Sequence, residues 1–337
     1  MWKATTCLLL ALASVPATGL ASPAENGRIT LLEEDDSLYS SSDKHYTQGF
    51  RLSYLSPEEA GEGGWAAPFR WLGMERGPAG QQAWRHALFF GQALFTPKGI
   101  ALGTPNPNDR SYAGWLYVGA SLMQETGGNV LDTLETQVGV VGPWALGEQL
   151  QNRVHRLIGI GTANGWSYQL RNEPGLTLSY ERRWRLPLLG DGNGVLDVDV
   201  VPAVGATVGN VFTYAAAGGL LRVGRNLGRD YGPVRIRPAL SGSDYFNDKV
   251  SEGPAGFYIF IGAQGRAVGH NIFLDGNTFR GGPSVETNVL VADLQAGVSV
   301  AWANGLRFDL SVVRRTPEFK GQVGSDVIGT AAVGFTW

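Results

Sequence analysis

Apolar and polar residues alternate with period 2 in about twelve separate stretches of this chain, the mark of strands with one apolar face. The stretches fall near 28–36, 46–56, 84–94, 113–124, 129–141, 174–186, 195–208, 213–226, 255–266, 286–302, 305–315 and 326–337. In the clearest of them Leu306, Phe308, Leu310 and Val312 share one face, and Arg307, Asp309 and Ser311 take the other. The connections alternate too. Glu125–Gly128, Gly190–Gly194 and Asn304-Gly305 are short turns, the last a strong hairpin signal because both residues tolerate positive φ. Between them fall longer loops at 36–46, 95–112, 142–173, 267–285 and 316–325. Segments 57–83 and 227–254 are long although they fall on the short-turn side, and should hold short helices or ordered coil. In outer-membrane barrels short turns face the periplasm and long loops the outside, with apolar residues toward lipid and polar ones toward the lumen. The pattern therefore predicts an all-β fold, a twelve-stranded antiparallel transmembrane β-barrel, with a narrow lumen filled largely by side chains.

Composition supports this. The 337 residues include 48 Gly, 10 Trp, 11 Tyr and 14 Phe, and only 17% are charged, against roughly 25% in soluble domains. A secreted β-sandwich is the alternative with the same composition. No apolar run of about 18 residues lies beyond the N-terminus, which excludes a helical membrane protein. A net charge of -3 gives no basic footprint for nucleic acid. Lys3, the apolar run Cys7–Ala13 and the small residues of Gly19-Leu20-Ala21 read as a secretory signal over 1–21. Its removal leaves 22–337 as a single barrel domain without the one cysteine, so stability must come from something other than disulfides; barrel closure is one such device. At the other end Val327, Gly329, Ala331, Val333, Phe335 and Trp337 share a face, like the terminal strand that barrel-assembly machinery accepts in Gram-negative bacteria.

One outer loop carries a helix pattern. Gly142-Pro143 opens it, and Glu148 to Ile158 follow helical spacing with Leu146, Leu150, Val154 and Leu157/Ile158 as the apolar stripe. Gln151 and His155 are four apart and share a face. A histidine held there can act as a general base near neutral pH, although a lone histidine is more often structural. Glu33-Glu34-Asp35-Asp36 ends the first strand, and such oxygen ligands suit Ca²⁺; a solvated acidic rim is the plainer reading. Thr47 should lie near Asp36 across the first hairpin. His86 reads as a strand position, His45 and His270 as loop residues. No G-x-S-x-G elbow, H-E-x-x-H or Walker loop is present.

Taken together, the blocks Glu34-Asp-Asp36, Asp43-Lys-His-Tyr-Thr-Gln-Gly49, Phe95-Thr-Pro97, Asp109-Arg-Ser-Tyr-Ala-Gly-Trp115, Gln151-Asn-Arg-Val-His155, Gly165-Trp166 and Phe273-Leu-Asp-Gly-Asn277 resemble the outer-membrane lipid A 3'-O-deacylases, the LpxR family. The resemblance runs over nearly the whole chain after residue 21. It implies a twelve-stranded barrel and a Ca²⁺-dependent ester hydrolase that removes the 3'-linked acyloxyacyl chain of lipid A. It places the catalytic histidine on His155, with Gln151, Thr47 and Asp36 beside it. The cation falls to Asp36 and Asp35, where Asp35 stands in place of the family's asparagine. The family's oxyanion-stabilising lysine has no counterpart: Leu102 falls near it, with Lys98 and Arg110 as the candidate replacements.

The expected partners are lipid A, or lipopolysaccharide, and outer-membrane lipids, with no nucleic acid and a monomeric chain. Two rival readings remain: a Ser–His outer-membrane phospholipase, for which Ser111 or Ser167 would have to approach His155, and a barrel without catalysis.

Overall fold

The computed structural model describes residues 26–36, 45–59, 67–73, 82–159, 161–190, 196–240, 244–247, 256–302 and 304–337. The signal assigned to 1–21, the turn at 191–194 and Asp43 lie outside the described residues.

Thirteen antiparallel strands form one sheet. They are β1 Arg28–Asp35, β2 His45–Leu55, β3 Gln82–Thr96, β4 Ala113–Thr126, β5 Val130–Val141, β6 Glu173–Trp184, β7 Leu186–Leu189, β8 Asp197–Gly209, β9 Phe212–Arg225, β10 Gly256–Asn271, β11 Leu290–Ala301, β12 Leu306–Arg315 and β13 Asp326–Thr336. Consecutive strands pair except β6 and β7, β1 pairs with β13, and β6 pairs with β8, so twelve strands close into a barrel. The four-residue β7 is an addition to the expected set. It pairs with β8, along which it continues the register of β6. The other bounds fall within a few residues of the alternation, except that β10 runs on to Asn271. His270 is thus a strand residue, and His45 opens β2; neither is the loop residue the sequence suggested.

Burial follows the pleat. Arg307, Asp309 and Ser311 are buried toward the lumen while Leu310 is exposed on the wall. On β6 Thr177, Ser179 and Glu181 are buried and Leu176 and Leu178 are exposed. Tyr54 and Phe335 stack on Trp337 beside the chain termini, the kind of aromatic girdle found at a membrane interface. The short turns lie at this rim, which makes it the periplasmic one and the opposite mouth the outer one.

The lumen is closed. The segment after β9 does not hang below the rim but folds back inside the barrel, where Val234 and Ile236 pack on Leu32 and Ala332. Arg237 donates to Glu135 at 2.7 Å and to Glu181 at 2.9 Å. Tyr231 and Tyr245 both donate to the buried Glu125. Buried charges persist only when paired and hydrogen-bonded, and this lumen meets that condition with a dense ion-pair network. At the outer mouth Phe95 stacks on Phe273 at 4.0 Å. The short α-helices are α1 Ala67–Trp71, α2 Gly147–Ile158 and α3 Ile272–Asp275.

Candidate active site

The site is built on the outside of the wall, at the outer ends of β1 to β4. Outward positions of β2, β3 and β4 line up by register: Gln48 opposes Leu94, and Leu94 opposes Gly114. α2 rests on this row. A Cβ on Gly147 would meet Trp166 at 2.6 Å and Leu94 at 2.9 Å, and one on Gly114 would meet Ala145 at 2.9 Å. Only glycine at both positions lets the helix and the turn before it lie this close to the strands. Below, Gln92 donates from its Nε2 to the carbonyl of Ala145.

The helix lies with a different face inward from the one its apolar stripe suggested. Leu157 is 85% exposed and Leu146 52%, whereas Gln151 is 2% and His155 6% exposed. The reason is the helix's position. Outside a barrel at the membrane boundary, apolar residues gain by facing lipid, and the polar face is the one turned to protein. Burial then demands partners for both polar side chains. Trp166 Nε1 donates to Gln151 Oε1 at 2.8 Å. Nδ1 of His155 lies 2.7 Å from the carbonyl oxygen of Gly161. A carbonyl cannot donate, so Nδ1 carries the hydrogen and Nε2 keeps its lone pair, the tautomer of a base. The helix ends on Gly159 in the left-handed conformation, and Asn152 exchanges hydrogen bonds with the backbone of Ala163. Those contacts hold the returning coil segment 161–165 against α2.

Thr47 sits in an irregularity of the β2–β3 register between Tyr46 and Gln48, and its hydroxyl lies 2.6 Å from that of Thr96. Asp35 opposes Gln48, and buried Asp36 follows it. Glu33 accepts from Gln48 at 2.7 Å. The structure puts Gln151 and His155 on the buried face of α2, Thr47 on β2 beside Thr96 of β3, and Asp36 at the outer end of β1. Thr47 connects to the helix residues through β3 (Thr96, then Leu94) and Trp166. Among the described residues no group of three or more His, Cys, Asp or Glu side chains is poised for a metal. The donors at the ends of β1 to β3 are nevertheless all oxygens, carboxylates of Asp35 and Asp36 with hydroxyls of Thr47 and Thr96. That set matches a hard cation such as Ca²⁺ in kind, with backbone carbonyls, water or lipid to complete it.

Arg110 is not a replacement for the missing lysine. It is buried, paired with Glu318 at 3.3 Å, and lies over the lumen-facing ring of Phe95. Burial lowers its pKa and the nearby carboxylates oppose that shift. Lys98 is exposed, with its backbone N–H bonded to Asp109. Trp166 and Thr96 lie in blocks that carry the family resemblance, but their pairing with Gln151 and Thr47 emerges only from the packing.

The family model described as "Outer membrane protein LpxR" matches residues 5–337. Among solved structures, LpxR from Salmonella typhimurium aligns with a TM-score of 0.72 at 21% identity, over 91% of this chain and 99% of that one. The translocator domain of autotransporter NalP from Neisseria meningitidis aligns with a TM-score of 0.40 at 9% identity, over 98% of this chain and 94% of that one. No curated protein sequence matches the chain.

Proposed function

Because this chain belongs to the LpxR family of outer membrane proteins, we propose that it is an ester hydrolase that removes the 3'-linked acyloxyacyl chain of lipid A. The observation that carries the reading is the buried His155 with Nδ1–H tied to a carbonyl, on a helix packed against the outer end of the barrel wall. A buried, tautomer-fixed imidazole outside the lumen has no role in filling the barrel.

In the proposed reaction Nε2 of His155 takes a proton from water, and the oxygen attacks the ester carbonyl carbon. The carbon–oxygen ester bond then breaks. The proton returns to the departing sugar oxygen, leaving a free acid and a sugar hydroxyl. Gln151, fixed by Trp166, orients the imidazole's surroundings, and Thr47 presents its hydroxyl from β2. Asp36 and Asp35 would hold Ca²⁺, which supplies positive charge for the carbonyl oxygen as it becomes negative. The exposed Lys98 follows Thr96 by two residues in the chain.

The test is mass spectrometry of lipid A incubated with the purified protein, with and without a calcium chelator. Loss of the 3' chain only with calcium present is expected; an unchanged lipid A in both arms would refute the assignment.

A further inference from the structure

The lipid-facing wall directly below the site is not a smooth band. Two rows of paired residues cross it. Leu52, Phe90, Val118 and Val138 oppose one another in turn on β2 to β5, and Tyr54, Leu88, Ala120 and Thr136 form the next row toward the periplasm. The rows line a groove of about 640 Å³, within the range of ligand pockets. The small members of the rows are Ala120 and Thr136, both half-buried, and Thr136 turns its hydroxyl into the wall to donate to Thr177 O. Large neighbours Leu88, at 50% exposure, and Val118, at 59%, stand beside them.

Both ends of the groove are built. Two rows above Leu52–Phe90–Val118 lies the row of Gln48, Leu94 and Gly114, which carries α2. One row below Ala120–Thr136 lie Leu122 and Leu134, which pack against Phe69 of α1 and Trp84. At about 3.4 Å per residue, the upper row of the groove begins roughly 14 Å down the strand from Leu94. An ester held at His155 would trail its hydrocarbon along these columns, on the bilayer side of the wall.

We propose that this groove is the binding site for the acyl chain of the ester presented to His155, with Ala120 setting its depth and so the chain length accepted. The inference rests on the esterase reading for the identity of the ester. The occupant is a hydrocarbon chain because the lining is apolar, faces the bilayer interior and lies on the same strands that carry α2 two rows higher.

The experiment compares Ala120→Trp with Ala263→Trp, which sits at an exposed position on β10, outside the β1–β5 sector that lines the groove. The first probe is a lipid A analogue with an amide-linked 3' chain ending in a diazirine. Photo-adducts should concentrate on the Leu88–Val118–Ala120 region and fall at least tenfold in Ala120→Trp but not in Ala263→Trp. Adducts spread evenly round the wall, or adducts joining two copies of the protein, would overturn the proposal. The second probe is hydrolysis of lipid A species with long and short 3' chains. Ala120→Trp should lower the long-to-short preference about tenfold, the scale on which a pocket senses added methylenes. Hydrolysis with an unaltered preference overturns the groove and leaves the esterase standing. Localised adducts without any hydrolysis do the reverse.

Discussion

Nε1 of Trp166 donates to Oε1 of Gln151 at 2.8 Å, and both side chains are buried between α2 and the outer wall. The bond links the 3-10 turn Trp166–Tyr168 to the helix one turn before His155. Trp166→Phe keeps the packing on Tyr112 and Gly147 but removes the hydrogen bond to Gln151. Loss of one buried hydrogen bond costs about 0.5–1.5 kcal/mol. The expected result is a melting temperature lowered by several degrees and kcat reduced roughly tenfold with little change in KM. An unchanged kcat would mean that Gln151 needs no such support.

His45 fixes the other side of the site. Its Nδ1 lies 2.7 Å from Asp326 Oδ1, its ring packs edge-on against Phe319, and its backbone has φ of 65°. Two residues later the β2 register breaks at Thr47. His45→Asn retains a residue tolerant of this conformation, whereas His45→Val forces a β-branched residue into it. Activity should survive substantially better in the Asn variant than in the Val variant at equal folded yield, measured by lipid A turnover. Equal loss in both would separate Thr47 from this clamp.

The lumen should respond as a buried ion network. Arg237→Ala leaves Glu135 and Glu181 facing each other without their shared cation. Removing one partner of a buried pair costs about 3–5 kcal/mol. The temperature at which the barrel loses its folded mobility on denaturing gels should fall clearly. Wild-type protein in planar bilayers should show no large steady conductance, since the inward segment fills the barrel.

Asp275 gives the outer mouth a pH dependence. Burial alone would raise its pKa, but hydrogen bonds from His270, the Asn271 N–H and Thr287 hold it below its ordinary 3.8. With the folded value depressed, its stabilising contribution is complete well above pH 3.8 and is lost as pH falls through the folded value. Proteolysis after brief acid exposure should therefore cut the segment 272–289 faster below about pH 3.8 in wild type. Asp275→Asn should flatten that dependence; an identical acid profile would rule the pair out as its source.

The barrel was legible because a two-sided wall imposes period 2 on every strand, and the lipid and lumen faces differ sharply, as along Leu306 to Ser311. The helix was legible from its spacing, but its orientation was not. Leu146 and Leu157 look like a core stripe under the rule for water-soluble proteins, and that rule inverts where the outer solvent is lipid. The inward fold of 227–240 was equally hidden. Segment 227–254 reads only as short helices or ordered coil, and the partners of Arg235 and Arg237, Asp293, Glu135 and Glu181, lie far off in sequence and meet them only across the lumen. Arg110 was misjudged for the same reason, since only the fold sets it on the Phe95 side of the wall.

The central claim is that His155 is the base. Its most direct test is lipid A mass spectrometry on cells expressing wild type or His155→Ala, with the folding of both checked by heat-modifiable gel mobility. The account predicts that the wild type sheds the 3' acyloxyacyl chain and that the folded Ala variant is slower by about 10²–10⁴-fold. Equal deacylation by the folded variant and the wild type would contradict it.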